Sequence, residues 1–299
     1  MATGSILTQI MQFSTSLAYL REFFSLEYIE REVEQKFLEM KKTEVNCRGP
    51  ICFDNVSFTY PNSDKEVLQD ISVSVQAGEK IAIVGDNGSG KSTFISLLTG
   101  MFSPDKGSVS INGFSMEKHK QELRNGISVI FQDFAHYEAT LRENITVSDA
   151  SRKLSDKEIE ELARNIHVED VIEEQPEGLE GLLGHLSQKG NDLSGGQWQK
   201  IALLRAVYRS NTNIMILDEP TAALDPLSEA ELYRNFSEIT GDRTTILISH
   251  RLGITKLVDR ILVFDDGRII EDGSHQELME KRGHYYDMYQ AQASWYQVD

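Results

Sequence analysis

The sequence predicts an α/β fold with a mostly parallel core sheet and an inserted helical subdomain. Three observations predict it. From residue 51 onward, short apolar runs of strand type alternate with stretches of helical spacing, the pattern of a parallel sheet with crossover helices. A Gly-rich loop joins one such run, Ile81–Val84, to a helical stretch, Lys91–Leu98. Between residues 139 and 210 strand-like runs are scarce and helical spacing dominates, which argues for an insertion made of helices.

The elements follow in order. Residues 1–20 contain no Asp, Glu, Lys, Arg or His, and charges begin at Arg21. No basic region precedes them, so this is not a secretory signal. They are too rich in Ser, Thr and Gln for a membrane span. An amphipathic helix, or the cytoplasmic end of a span that begins elsewhere, fits them. After Gly4 no Gly or Pro interrupts the chain as far as Met40, which permits one long helix. Residues 41–50 are charged and end on Gly49-Pro50, the punctuation of a linker. We therefore expect a helical extension over residues 1–48 and the α/β domain over 49–299. Within the domain Ile51–Phe58, Val67–Val75, Ile127–Phe131, Ile214–Leu217, Thr245–Ser249, Arg260–Phe264 and Arg268–Glu271 read as strands. Gly107–Gly113 reads as a hairpin, and Gly267 as part of a tight turn. Lys157–Ile166, Gly195–Tyr208 and Pro226–Ile239 read as helices, the helical subdomain covers roughly residues 135–210 by this periodicity, and helices close the chain over 273–297.

At 299 residues, 40% hydrophobic and 26% charged, the composition is ordinary for a globular chain. The formal net charge of -17 argues against nucleic acid as a partner, because phosphate backbones need clustered Lys and Arg. An anionic ligand must be held by local features. The two cysteines, Cys47 and Cys52, match no zinc spacing and read as reduced thiols.

The strongest local signal is Gly85-Asp86-Asn87-Gly88-Ser89-Gly90-Lys91-Ser92-Thr93. It fits G-x-x-x-x-G-K-[ST] in the required context, after an apolar strand and before a helix. Glycines let backbone N–H groups turn inward around a phosphate, and the new helix aims its positive end at the same anion. Lys91 then reaches the β- and γ-phosphates, and the Ser92 hydroxyl is a ligand for Mg²⁺.

Ile214-Met215-Ile216-Leu217-Asp218-Glu219 is an apolar run ending in two acids. Parallel sheets place their chemistry at the C-terminal ends of strands. Asp218 is the candidate to hold Mg²⁺, and Glu219 to polarise the water that attacks the γ-phosphate.

Leu193-Ser194-Gly195-Gly196-Gln197 has the makings of a second anion cradle, with a hydroxyl, two glycines and a helix start. It also fits a plain helix start capped by Ser194. Lying between the P-loop and the Asp-Glu strand, this LSGGQ run resembles the signature of the ATP-binding cassette family. That resemblance covers about residues 51–290 and rests on several motifs in the family's order. It implies a P-loop NTPase cassette with an antiparallel β subdomain, and a set of further site residues. Tyr60 resembles the aromatic residue that stacks on adenine, and Val67 is similarly placed near the nucleoside. Gln132 looks like the Q-loop residue that contacts Mg²⁺ or the attacking water. Asp225, ending Ala222-Ala223-Leu224-Asp225, looks like the D-loop aspartate. His250 looks like the switch histidine that meets the γ-phosphate.

The resemblance implies that ATP is bound with Mg²⁺, and that two such domains pair head to tail. ATP on Lys91 of one would be closed over by Ser194 and Gly196 of the other. Both half-sites are present, which favours a homodimer. Leu183-Gly184, the Gly190–Asp192 stretch and Gln197-Trp198-Gln199-Lys200 resemble exporters, including those of lantibiotics and peptides. The expected partners are a second cassette and an exporter's transmembrane domain, at the cytoplasmic face of the cell membrane. A separate ATPase subunit of a multi-subunit transporter and a soluble ATPase of the family are the alternatives; the extension before residue 50 and the acidic charge weigh against them. Two departures stand out. Leu204 replaces the family's small residue, which should alter packing more than chemistry. The acidic residue expected before the signature is not evident, and His185, Gln188 and Lys189 occupy that region.

Overall fold

The computed structural model describes Val45 and residues 47–184, 193–209 and 211–295. The chain divides into two units, Met1–Val45 and Asn46–Asp299, and the second is described below. The expected N-terminal helix, the stretch with His185, Gln188 and Lys189, and the last residues of the tail lie outside the described residues.

Two sheets carry the domain. The first is antiparallel. It orders β2 (Glu66–Val75), β1 (Ile51–Thr59), β4 (Lys106–Ile111) and β5 (Phe114–Ser115) from edge to edge. β4 and β5 are the hairpin expected near Gly113, and it turns through Asn112 and Gly113, both at positive φ. One face of β1 and β2 is buried and the other is wet, hence the alternation visible in the sequence.

The second sheet orders β10 (Arg268–Gly273), β9 (Arg260–Asp265), β3 (Lys80–Gly85), β8 (Thr244–Ile248), β7 (Ile214–Asp218) and β6 (Ile127–Ile130). Pairings from β9 through β6 are parallel, and only β10 runs antiparallel to its neighbour. β7 and β8 are buried at every position. They are covered on both faces, which is why they read as unbroken apolar runs. Helix α1 (Lys91–Leu98) follows β3, and α2 (Lys120–Asn125) precedes β6. Phe94 of α1 ties the sheets together, stacking on Phe53 at 4.0 Å and meeting Phe264 edge-on at 5.7 Å.

Between β6 and β7 the described chain is helical, with α3 (Leu141–Thr146), α4 (Asp156–Asn165), α5 (Asp170–Glu173) and α6 (Gly195–Tyr208). They share a core with one face of the parallel sheet. Leu204 is fully buried in that core, so the departure at this position is a packing matter.

One expected helix is broken. The run 226–239 is two helices, α7 (Pro226–Arg234) and α8 (Phe236–Thr240), separated at Asn235. The tail is α9 (His275–Lys281) and α10 (His284–Trp295). Arg282 adopts a left-handed conformation between them. Helical periodicity continues through Asn235, so the sequence pattern alone did not show that break. Both cysteines are free, Cys47 buried and Cys52 half-buried.

Candidate functional site

β3, β8 and β7 lie side by side and run the same way. The loops that leave their C-terminal ends are therefore neighbours. Those loops carry Gly85–Lys91, His250 and Glu219. The sheet order thus brings three segments, far apart in sequence, to one rim.

The cleft at this rim has a volume of ≈ 340 Å³. Tyr60, Val67, Asn87, Gly88, Gly90, Lys91, Ser92, Thr93, Gln132, Glu219, Ile248 and His250 line it. Apart from Ile248, all of these are residues singled out from the sequence. Ser89 and Asp218 are buried beside them, and the Ser89 hydroxyl has no hydrogen-bond partner. Ser194, Gly195, Gly196, Gln197 and Asp225 do not line this cleft.

Helix α1 is built to receive an anion. Its N-cap is Gly90, at φ 107, and no side chain caps its first turn. The first turn also holds no acidic residue. Helices α3, α4 and α9 differ in both respects, each closed by a Ser or Thr with a Glu in a capping box. Open N–H groups with a positive dipole end are what a phosphate needs. A Cβ on Gly90 would lie 2.7 Å from Leu68 Cδ2, so only glycine fits this corner.

Lys91 is only 5% exposed. Its ammonium donates to the carbonyl oxygens of Gly85, at 2.9 Å, and Asp86, at 2.8 Å. Burial pushes its pKa down, opposed by the charges of Glu219, Asp86 and Asp218. Asp218, the last residue of β7, has its pKa pushed up to about 6, by burial first and by Glu219 second, with Lys91 opposing. A carboxylate in that condition gains from a cation.

The fit to Mg²⁺ rests on donor chemistry. Mg²⁺ takes oxygen ligands, typically one or two from protein with the rest from water and phosphate. Asp218 and the exposed Ser92 hydroxyl are such oxygens. Among the described residues no cluster of three or more His, Cys, Asp or Glu could hold a metal by itself.

Glu219 has φ 51, left-handed for a residue with a side chain. Three bonds hold it there. Its N–H donates to the Ile248 carbonyl at 3.0 Å, and its carbonyl accepts from Gln199 Nε2 at 3.1 Å and from the Ala222 N–H at 3.1 Å. Its carboxylate Oε1 then sits 3.0 Å from His250 Nε2. Opposite, Tyr60 stands at the mouth. Its hydroxyl is 3.0 Å from Thr93 Oγ1, and its ring meets Phe58 and Phe102 edge-on.

The signature segment opens α6. Ser194 Oγ accepts from the Gln197 N–H at 3.2 Å, and Gln197 Oε1 accepts from the Ser194 N–H at 2.9 Å. The plain capping function expected of Ser194 is thus present. The two glycines let α6 approach the neighbouring loop, since a Cβ on Gly196 would stand 3.3 Å from the Ala223 carbonyl oxygen. Asp225 caps α7, accepting from the N–H groups of Leu227 and Ser228.

Sequence reasoning gave no role to Gln199 or Gln292. Gln199 is buried and also accepts from the Ala223 N–H at 3.0 Å. Its signal was a lone amide among Ala202, Leu203 and Ala206, all buried on one face of α6. Gln292, on α10, reaches the His250 backbone; nothing local in the sequence marks it.

A parallel sheet with a Gly-rich loop running from β3 into α1, and a buried Asp followed by a strained Glu at the end of β7, defines a P-loop nucleoside-triphosphatase. Comparison with known proteins narrows this class. The ABC transporter family matches residues 68–222, just over half of the chain, and the chain belongs to that family as its ATP-binding portion. It is 40% identical over 277 residues to the subtilin transport ATP-binding protein SpaT of Bacillus subtilis, covering 92% of this chain and 44% of that protein. It is 37% identical over 279 residues to the nisin transport ATP-binding protein NisT of Lactococcus lactis subsp. lactis, covering 93% and 46%. A solved bacterial Atm1-family ABC exporter with ATP bound superposes with a TM-score of 0.75 at 35% identity, over 83% of this chain and 42% of that one. The chain thus spans less than half the length of these relatives.

Proposed function

We propose that this chain binds ATP with Mg²⁺ in the cleft and hydrolyses it to drive export through a membrane domain. Asn87–Thr93 hold the phosphates, with Lys91 on the β- and γ-phosphates. Tyr60 stacks on the adenine and Val67 packs beside it. Ser92, Gln132 and Asp218 hold Mg²⁺, which when bound neutralises phosphate charge. Glu219 polarises the attacking water, and His250 contacts the γ-phosphate. Ser194, Gly195, Gly196, Gln197 and Asp225 serve the cleft of a second cassette, paired head to tail.

The observation that carries this reading is the pair at the rim. A carboxylate on strained backbone meets a histidine at 3.0 Å, facing the uncapped end of α1. Strain of this kind is kept where position matters to chemistry. Relatives described as subtilin and nisin transport ATP-binding proteins support a peptide as the cargo, with lipids and drug-like molecules as the wider class. The proposed place is the cytoplasmic face, beneath the membrane domain, as the likeness to transport ATP-binding proteins and to a solved ABC exporter supports; among the described residues no helix is long and apolar enough to cross a membrane.

The test is Glu219→Gln. Loss of a general base costs about 10²–10⁴-fold in rate. The variant should bind ATP with parental affinity by calorimetry and lose nearly all phosphate release. Phosphate release at the parental rate would remove Glu219 from the mechanism.

A further inference from the structure

We propose that Gln292 of the C-terminal helix α10 is a positioning residue for His250. The proposal rests on the reading of His250 given above.

His250 has little packing to hold it, since its side chain is 40% exposed. Its direction is therefore set by its backbone and by Glu219. The Gln292 side-chain amide spans that backbone. Its Nε2 donates to the His250 carbonyl oxygen. Its Oε1 accepts from the Leu252 N–H at 2.9 Å. One amide thus bonds the carbonyl of one residue and the N–H of the residue two further on, as a neighbouring strand's peptide would. Inside the bracket, Ser249 Oγ accepts from the Arg251 N–H at 2.9 Å and donates to the Arg251 carbonyl at 3.0 Å. The Arg251 guanidinium pairs with Glu229 of α7. The turn after β8 is fixed at each residue, and His250 is fixed by the amide.

The helix that presents Gln292 is itself anchored. Glu271 of β10 accepts from the N–H groups of His284 and Tyr285, each at 2.8 Å. Tyr285 is fully buried, with its hydroxyl 2.7 Å from Thr255 Oγ1 and 2.7 Å from His275 Nδ1. Tyr285, Tyr289 and Gln292 fall at i, i+4 and i+7 on one helical face. Tyr289 packs against the core below β3 and β9. The rigid helix therefore delivers the amide to a fixed place. A histidine that must meet a γ-phosphate needs such a place, because a displacement of about 1 Å can cost 10²-fold in rate.

The experiment is a double-mutant cycle on the full 299-residue chain, reading kcat and KM for ATP and hydrogen exchange over residues 249–253. Gln292→Ala should lower kcat about tenfold with KM for ATP within twofold of the parent, and should speed exchange at Leu252. Gln292→Glu is isosteric and keeps the acceptor for Leu252, but it loses the donor to His250. It should lower kcat likewise, while its melting temperature and ATP affinity verify the fold. His250→Ala with Gln292→Ala should be no slower than His250→Ala alone. Parental kcat in both Gln292 variants, or a further loss in the double variant, would overturn the proposal. Parental kcat in His250→Ala would overturn the reading of the histidine, and this proposal with it.

Discussion

At the residue scale, Asp218 shows how the site trades stability for binding. The residue is 6% exposed, and burial, with Glu219 beside it, pushes its pKa up to about 6 in the fold, against 3.8 for a free aspartate. The ionised form is thus disfavoured in the folded chain, by about 3 kcal/mol on the conversion of pKa to free energy. The folded pKa is raised, so the penalty is complete above pH 6 and disappears as pH falls through 6 towards 4. Asp218→Asn should therefore raise unfolding stability in metal-free buffer at pH 7.5 by about 2–3 kcal/mol. The gain should vanish near pH 4, and Mg²⁺-dependent turnover should fall. Urea titrations at the two pH values check this; a difference independent of pH would show that burial of the charge is not its cause. Residues of this kind were legible in the sequence because each has a fixed motif and strand context. Gln199 and Gln292 were not. Their worth lies in bonds to backbone 20 and 42 residues away, and no local pattern encodes such a bond.

At the element scale, α1 is the part whose start decides function. Four described helices close with capping boxes, each satisfying orphan donors with side chains. α1 begins on Gly90 and leaves its donors open. Gly90→Ala would place a methyl group 2.7 Å from Leu68 Cδ2 and 3.1 Å from the Val67 carbonyl oxygen, at a φ that L-residues avoid. The expected cost is about 2 kcal/mol, with nucleotide affinity lost because the loop must shift. Thermal melting and ATP titration measure both. An unchanged melting temperature with parental affinity would show that the corner is not rigid. The sheet and the long helices were readable from periodicity. The break at Asn235 was not, because apolar spacing runs on past it while the backbone turns. The order of strands was equally hidden. It is set by crossovers and shared core, and only it explains why Lys91, Glu219 and His250 share a rim.

At the scale of the whole molecule, the described cassette holds two glycine-bearing helix starts, open at α1 and capped by Ser194 at α6, that share no cleft. The cleft at Lys91 lacks Ser194, Gly195 and Gly196 from its lining, and Ser194 is exposed. Gly196 also packs against the loop leading to Asp225, and Gln199 ties the same helix to Glu219. The signature helix therefore touches the backbone of its own Glu219 while its N-terminus faces elsewhere. On the proposed head-to-tail pairing, that N-terminus lies over the γ-phosphate of the other copy, and binding there reaches Glu219 here through one helix. A two-copy assembly held by nucleotide should then form only with both elements intact. In the Glu219→Gln background, ATP should double the apparent mass on sizing, since turnover no longer releases the glue. Adding Ser194→Arg should keep the chain monomeric at the same ATP concentration, with ATP affinity of the monomer unchanged, because the bulky side chain fills the space the second phosphate cluster needs. If the double variant still dimerises as the Glu219→Gln chain does, the signature does not close the partner's site. The two helix starts would then act within one copy, and the exposed Ser194 would be a cap and no more.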